Sequence, residues 1–254
     1  MARHPYLDHS GPIPFAHCGG GLEAPENTLT AFAYAVDLGY RYIETDVQAT
    51  RDGVLLVFHD DELPRLTGLP GRPGDHDWAQ LRDARIHGTE PIPLFDELLS
   101  SWPDIRLNID PKTDAAAGAL TALLAKRPEL LDRICIGSFS GARLARMRKA
   151  LGPRLCTSAG PMEVTALAMR GLGLPFPRPA ALAAQVPERH HGIPVVTKPF
   201  LRAAHRLDMP VHVWTIDSQA EMERLLDLGV DGIMTDRPSL LKSVFQERGL
   251  WPAG

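Results

Sequence analysis

Short apolar or β-branched runs that end in polar residues alternate along the chain with segments of helical periodicity, as repeated βα units do. Nine runs are predicted as strands, over residues 13–17, 42–47, 54–59, 105–110, 134–138, 155–158, 194–197, 211–215 and 232–235. Helices are predicted over residues 28–38 after Asn27 as N-cap, 115–126, 141–151, 200–207, and 219–228 between Ser218 and Gly229. This alternation predicts an α/β fold, one (β/α)8 barrel occupying residues 1–254 as a single domain.

Nine strands exceed the eight places of such a barrel, so at least one of them is a hairpin arm or a loop. Residues 50–53 form a connection too short for a crossover helix, so the runs 44–49 and 54–59 are expected to pair antiparallel. Reflection about a turn centre between the second and third of these four residues places Asp46 opposite His59.

Two segments rich in glycine and proline interrupt the alternation. Residues 65–93 and 171–192 have poor periodicity, and both are predicted to be excursions from the barrel. The first is interpreted as a small insertion after the third strand, at about residues 61–93, that forms a cap over the strand ends.

The charge balance and the opening of the chain exclude two classes of protein. With 27 Lys and Arg against 31 Asp and Glu, the net charge is -4, which excludes a basic nucleic-acid footprint. Residues 1–14 lack the apolar run of a secretory signal, and no later window approaches the ~18 apolar residues of a spanning helix. We therefore expect a cytoplasmic protein with a small-molecule partner and no stable membrane insertion.

The three cysteines, Cys18, Cys135 and Cys156, lie far apart and show no CxxC spacing. This pattern indicates neither a disulfide framework nor a zinc site. Cys135 and Cys156 are interpreted as small buried apolar residues.

Polar residues cluster at the carboxyl ends of the predicted strands, which meet at one rim of a barrel where barrel enzymes hold their active sites. Glu44 and Asp46 lie two residues apart on one strand and therefore share a face. With Asp110 from a neighbouring strand they offer three hard oxygen ligands, which suit Mg²⁺ or Ca²⁺. The alternative is a set of surface carboxylates in loops.

Two histidines and one lysine end strands on the same rim. One imidazole of His17 and His59 could remove a proton from an attacking oxygen while the other donates one to a leaving oxygen. Lys112 can neutralise a phosphate as a point charge, or it is a solvated lysine at a strand end. The remaining histidines are interpreted as structural residues.

Aromatic and glycine residues near these strand ends could have a structural role or a role in binding. From the pattern alone, Trp214 and Phe139 are predicted to pack, and Trp214 could also form one wall of a pocket for the apolar face of a glycerol unit. The glycine run at residues 19–21, next to His17, is permissive enough for a nest of amides that faces a phosphate.

Taken in order, these segments resemble the glycerophosphodiester phosphodiesterases. The matching motifs are FAHCGG at 15–20, APENTL at 24–29, IETDV at 43–47, TRDG at 50–53, VFHD at 57–60, LNIDPK at 107–112, SF at 138–139, VWT at 213–215 and GVDGIMTDRP at 229–238. The resemblance spans nearly the whole chain.

The resemblance implies a TIM barrel that hydrolyses glycerophosphodiesters to sn-glycerol 3-phosphate and an alcohol. It implies that Glu44, Asp46 and Asp110 bind one divalent metal ion, that His17 and His59 are the acid and base, and that Lys112 holds phosphate. Asp110 stands where the family usually has Glu. Attack by the glycerol 2-hydroxyl, giving a cyclic phosphate, and direct attack by water both remain open.

One residue departs from the family pattern, because Cys18 stands where the family has an arginine that would contact phosphate. Loss of a charge-assisted contact costs ~1.5–3 kcal/mol, a rate loss of order 10- to 100-fold. A slow enzyme, an enzyme in which another group compensates, a binding or regulatory protein, and Cys18 as a new nucleophile are the four alternatives. The stretch 172–187, with Leu174, Phe176, Leu182 and Val186, could also flank an apolar groove for a lysophospholipase D substrate, although a plain surface excursion is the favoured interpretation.

Overall fold

A computed structural model describes residues 4–252; the first three residues of the opening segment and the last two of the chain lie outside this range. The strands are β1 (Ile13–His17), β2 (Tyr42–Ala49), β3 (Leu55–Val57), β4 (Arg85–Ile86), β5 (Glu90–Pro91), β6 (Arg106–Pro111), β7 (Ile134–Ile136), β8 (Cys156–Thr157), β9 (Ala184–Pro187), β10 (Arg189–His190), β11 (Ile193–Pro194), β12 (Val211–Trp214) and β13 (Gly232–Thr235). The helices are α1 (Leu29–Asp37), α2 (Pro64–Thr67), α3 (Trp78–Leu81), α4 (Phe95–Ser101), α5 (Asp114–Lys126), α6 (Gly141–Leu151), α7 (Pro161–Gly171), α8 (Lys198–His205), α9 (Gln219–Leu228) and α10 (Pro238–Glu247). Within residues 4–252, no helix is both long and apolar enough to cross a bilayer.

Eight strands pair in parallel in the order β8-β7-β6-β2-β1-β13-β12-β9. A parallel bridge between Ser158 and Ala183 joins the two ends of this path, so the strands follow one another around a closed ring in chain order. Helices lie between successive strands, as a right-handed parallel crossover requires. The predicted TIM-barrel-like α/β fold is confirmed.

The sixth barrel strand is β9, and its prediction was wrong. The run at residues 194–197 was predicted as a strand, but Ile193–Pro194 is one arm of a two-residue antiparallel hairpin with β10. The strand that pairs with β12 is Ala184–Pro187, inside the segment predicted as an excursion. Flanking prolines and the short alanine-rich sequence hide its β pattern, and its burial between two neighbours comes from closure of the barrel.

Strand β3 is the predicted extra arm and pairs antiparallel with β2, but the register differs by one residue from the prediction. Val47 lies opposite Val57, and the Phe58 amide donates to the Asp46 carbonyl, so Asp46 is opposite Phe58 and not His59. The loop has five residues between Ala49 and Leu55, so its centre falls on a residue rather than between two.

Side-chain alternation along the barrel strands separates two cores. Residues such as Ile43, Val47 and Ile109 face the helices in the large outer cluster. Tyr42 and Phe15 face inward, in an inner cluster that Cys135, Cys156 and Met234 join. Both of these cysteines are buried and free, as predicted. Because strand side chains alternate, Glu44 and Asp46 lie on the inward face above Tyr42.

The insertion after β3 builds a small core of its own. Residues 64–91 contain α2, α3 and the β4–β5 hairpin. Apolar side chains of this segment and of the residues on either side of it form a separate buried cluster: Leu56, Phe58, Leu63, Leu66, Leu81, Ile86 and Ile92. The Thr30 hydroxyl donates to Glu90 at 2.7 Å, which ties the hairpin to the start of α1. The insertion is therefore held next to the loops that follow β1 and β3.

One ion pair fastens the seam where β8 meets β9. The Arg148 guanidinium binds both Glu163 carboxylate oxygens, at 3.1 and 2.9 Å, and its Nε donates to Thr157 at 2.8 Å. Glu163 also accepts from the amides of Gly160 and Ala180. Burial alone would raise the pKa of Glu163, but these partners lower it.

We expect Arg148→Ala to lower the free energy of unfolding by about 2–4 kcal/mol, because it breaks a two-pronged, largely buried pair. The matched control is Arg154→Ala, whose pair with Asp132 is about half exposed and should contribute under about 1 kcal/mol. Urea titrations at neutral pH measure both. Since the pKa of Glu163 is lowered by folding, the Arg148 contribution is present at neutral pH and declines as the pH falls through that pKa. Equal losses for the two variants would contradict this role.

Candidate active site

The carboxyl ends of β1, β2 and β6 are adjacent, and their register brings the predicted site residues to one rim. His17 is the strand partner of Glu44, and Asp46 is the strand partner of Asp110. Lys112 follows directly after β6. The sequence therefore places these residues on the correct strands, and the parallel register makes them neighbours.

Lys112 lies between two of the carboxylates. Its ammonium is 2.7 Å from Asp46 Oδ1 and 3.0 Å from Asp110 Oδ2. Burial alone would lower the pKa of Lys112, but the two carboxylates raise it, so the side chain is a fixed positive charge. Burial raises the pKa of Asp110 despite this partner. The space between Asp46 and Asp110 is thus one that attracts a cation.

Glu44 and His17 form the next pair on the rim. His17 Nε2 is 3.6 Å from Glu44 Oε2, and His17 Nδ1 is 2.8 Å from Asp236 Oδ1 at the end of β13. Burial and the charge of Asp46 raise the pKa of Glu44 to about 7. Burial alone would lower the pKa of His17, but Glu44 and Asp236 outweigh it and raise the pKa to about 9.

Cys18 points into the same cluster. Its backbone amide donates to Glu44 Oε2 at 3.3 Å, and its Sγ is 3.4 Å from Asp46 Oδ2 and 3.8 Å from Glu44 Oε2. The residue is 2% exposed and has a φ of 50°, so the turn after β1 fixes the thiol over the carboxylates. Burial and the carboxylate charges raise the pKa of Cys18. This disfavours the hypothesis of Cys18 as a nucleophile, since the thiolate is the reactive form.

His59 has a separate set of partners. Its Nδ1 is 2.7 Å from Asp60, whose carboxylate accepts two hydrogen bonds from Arg65. Arg65 also pairs with Glu26 in the loop after β1. The His59 side chain is 43% exposed, so its ring is open to a ligand from the solvent side. The small insertion supplies Arg65 and thereby holds the loop that carries His59.

Two aromatic side chains meet across the rim. Phe139 follows β7 and Trp214 ends β12, and their ring centroids are 5.7 Å apart in an edge-to-face contact. Packing was the favoured interpretation of both. Trp214 packs against the inner cluster, whereas Phe139 is 65% exposed and does not pack in a core. The pair forms an apolar wall beside the polar cluster.

Residues 172–187 do not flank a groove at the rim. Val186 is a buried residue of β9, while Leu174 and Phe176 are exposed. They follow the carboxyl end of α7, and a barrel helix runs back from the rim, so this stretch lies at the opposite end of the barrel.

The side chains on the rim have the donor chemistry of a divalent-cation site. Glu44, Asp46 and Asp110 supply carboxylate oxygens. Among residues 4–252, the positive groups that contact these carboxylates are Lys112 and His17. A cation here would share Asp46 and Asp110 with Lys112, and oxygen-rich donor sets are those that bind Mg²⁺ or Ca²⁺.

The chain resembles known proteins over almost its full length. The family model described as the glycerophosphoryl diester phosphodiesterase family matches residues 17–240. A curated protein of Mycobacterium tuberculosis named "Probable glycerophosphodiester phosphodiesterase 2" is 40% identical over 97% of this chain and 95% of its own length. The chain belongs to the glycerophosphoryl diester phosphodiesterase family. The predicted family is therefore confirmed, and with it a phosphoric diester hydrolase as the class of enzyme.

Two further relatives widen the comparison with this family. A lysophospholipase D of Homo sapiens is 26% identical over 89% of this chain and 84% of its own length. An Oleispira antarctica phosphodiesterase, solved in complex with the product sn-glycerol-3-phosphate, has a TM-score of 0.74 and 22% identity, and the match covers 93% of this chain and 97% of that chain. The latter supports the barrel fold.

Sequence reasoning missed two residues of this phosphodiesterase-family site. Asn27 was predicted as the N-cap of α1, but Thr28 is the N-cap. The side-chain amide of Asn27 instead donates to Asp46 Oδ2 at 3.0 Å. Asn27 has a left-handed backbone with a φ of 55°, so it lies outside the helix that follows. Asp236 lies in the motif at 229–238 and was assigned no role, although it is the partner of His17. The signal for Asp236 was its place at the end of the strand that neighbours β1.

The phosphate nest considered at the glycine run stays a prediction. Two amides of this turn already have protein acceptors, since Cys18 donates to Glu44 and Gly20 to the His17 carbonyl. Two of the glycines also have a steric reason. A Cβ on Gly19 would lie 2.8 Å from the Ala31 Cβ, and one on Gly20 would lie 2.6 Å from Pro238.

Proposed function

We propose that the protein hydrolyses glycerophosphodiesters to sn-glycerol 3-phosphate and an alcohol with the help of one divalent cation, Mg²⁺ or Ca²⁺. The observation that carries this proposal is the convergence of His17, Glu44, Asp46, Asp110 and Lys112 on one barrel rim in a chain of this family. The M. tuberculosis relative is named for this activity, and the O. antarctica protein holds its product.

The side chains divide the work as follows. When bound by the carboxylates, the cation would neutralise charge on the phosphate oxygens. Asp236 holds His17 at Nδ1, which leaves Nε2 to exchange a proton with the substrate. Asp60 holds His59 at Nδ1 in the same way. One imidazole accepts the proton of the attacking oxygen, which belongs either to water or to the glycerol 2-hydroxyl, and the other gives a proton to the departing alcohol oxygen. Where the 2-hydroxyl attacks, water then opens the cyclic phosphate to give glycerol 3-phosphate.

The identity of residue 18 affects the expected rate of hydrolysis, because Cys18 stands where the family has an arginine. Among residues 4–252, Lys112 is the lysine or arginine that contacts the site carboxylates, and Cys18 replaces the arginine of the family pattern. Trp214 and Phe139 provide an apolar wall for the glycerol carbons. We infer an enzyme that is slower than relatives that carry arginine at this position.

The test measures glycerol 3-phosphate release from glycerophosphocholine, with Mg²⁺ or Ca²⁺ and with chelator. The wild-type chain is expected to turn over only with metal, and Cys18→Arg is expected to gain 10- to 100-fold in kcat/KM, the inverse of a lost charge-assisted contact. Release by the Arg variant alone would show that the natural chain is a binding or regulatory protein. No release by either chain from a panel of glycerophosphodiesters would overturn the proposal.

A lysophospholipase D activity is the second candidate. The human relative of that name supports it, and so do the exposed apolar side chains of Leu22, Phe139 and Met162, all in segments that follow barrel strands. Lysophosphatidylcholine in place of glycerophosphocholine in the same assay separates the two substrates. A higher kcat/KM for the acylated substrate would favour this second function.

A further inference from the structure

The strongest unused feature of the molecule is the Cys18 thiol among metal-binding side chains. Donor atoms of His17, Cys18 and Glu44 all lie within 4.8 Å of one another. We propose that these three side chains form a Zn²⁺ site in which Cys18 binds as a thiolate. This site goes beyond the proposed hydrolysis, because its ligand set differs from the three carboxylates assigned to Mg²⁺ or Ca²⁺.

The spacing of the donors matches zinc coordination. With Zn–S near 2.3 Å and Zn–N and Zn–O near 2.0–2.2 Å, neighbouring donors of a tetrahedral site are about 3.3–3.7 Å apart. Here His17 Nε2 is 3.6 Å from Glu44 Oε2, and Cys18 Sγ is 3.8 Å from the same oxygen. Asp46 Oδ2 lies 3.4 Å from Sγ, beside this group of three donors. The side chains need only small shifts to surround an ion.

The orientation of His17 is an independent sign of a metal ligand. A histidine that binds zinc through one ring nitrogen almost always gives the other N–H to a carboxylate or carbonyl. His17 Nδ1 is 2.8 Å from Asp236, and Nε2 is the nitrogen that faces Glu44, at 3.6 Å. Asp236 thus holds the ring in the orientation that a zinc ligand needs.

The donor chemistry selects the metal. A thiolate and an imidazole favour Zn²⁺ over Mg²⁺ and Ca²⁺, which prefer oxygen alone. Binding displaces two protons to the solvent, the thiol proton of Cys18 and the Nε2 proton of His17, and the ion takes the lone pairs that these protons leave. Zinc at this site therefore removes the proton-exchanging nitrogen of His17, so it should inhibit hydrolysis; this consequence rests on the proposed function, while zinc binding itself does not.

Binding is tested directly on the full chain after metal removal. Zn²⁺ affinity is measured by competition with a chromophoric chelator for wild type, Cys18→Ser and the matched control Cys156→Ala, which removes another buried cysteine from the barrel interior. Cys18→Ser is expected to weaken Zn²⁺ at least about 10- to 100-fold, whereas Cys156→Ala keeps the wild-type affinity. Equal Zn²⁺ affinities for wild type and Cys18→Ser would overturn the proposal.

A second readout needs no variant. Co²⁺ in place of Zn²⁺ gives a thiolate-to-metal charge-transfer absorption in the near ultraviolet when sulfur is a ligand. Wild-type protein is expected to show this absorption at one equivalent of Co²⁺, and its absence would show that the ion is bound by oxygen and nitrogen alone. Because neither measurement uses turnover, failure of the zinc site and failure of the hydrolytic function are distinguished.

Discussion

Replacement of His17 with alanine is expected to lower kcat for glycerophosphodiester hydrolysis by about 10²- to 10⁴-fold, the range for loss of a positioned general acid or base. The ring is held at Nδ1 by Asp236 and presents Nε2 next to Glu44, so its removal takes away a proton-transfer group whose position is fixed. KM should change much less than kcat, because proton transfer is needed in the transition state and not in substrate binding.

The controls for this result use two other residues. His190→Ala changes an exposed histidine of the β10–β11 hairpin and should leave kcat unchanged. Asp236→Asn leaves the ring in place but disturbs its tautomer, so an intermediate loss is expected, with an altered pH profile. A His17→Ala variant that keeps more than about a tenth of wild-type kcat would contradict the acid–base role.

Replacement of Asp46 with asparagine has the second large expected effect, a loss of metal-dependent turnover together with a fall in apparent metal affinity of at least about 10- to 100-fold. Asp46 is 2% exposed and is held by the Asn27 amide and the Lys112 ammonium. The substitution keeps the shape of the side chain and removes its charge. The cation therefore loses a carboxylate whose position is fixed by the fold.

Thermal unfolding with and without Mg²⁺ or Ca²⁺ separates metal binding from catalysis. A cation that binds only the folded chain stabilises it by RT ln(1 + [L]/Kd), so the increase in Tm seen with wild type should disappear in Asp46→Asn. The matched control is Asp37→Asn, an exposed carboxylate at the end of α1, which should keep both the Tm increase and the turnover. If Asp46→Asn keeps the Tm increase but loses turnover, the metal is bound elsewhere on the rim.

The chain-local features of this protein could be predicted from its sequence. Seven of the eight barrel strands coincide with predicted runs, and α6 begins and ends at the predicted residues. Periodicity and motifs are properties of consecutive residues, so they place His17, Glu44, Asp46 and Asp110 at strand ends without knowledge of the fold. The metal-binding and acid–base roles of these residues remain proposals.

Only the tertiary structure decided which residues that are distant in sequence lie in contact. The pairing of His17 with Asp236 joins residues 219 positions apart, and the Cys18 thiol meets Asp46 from a neighbouring strand. The tertiary structure also decided the register of the β2–β3 hairpin, which differs by one residue from the prediction, and the barrel strand at 184–187. The physical reason is that closure of the barrel selects one register for every strand at once, because each backbone hydrogen bond and each inward side chain must be satisfied together. No local pattern contains that constraint, so the sequence determined the chemical groups of the rim, and the closed sheet determined their distances.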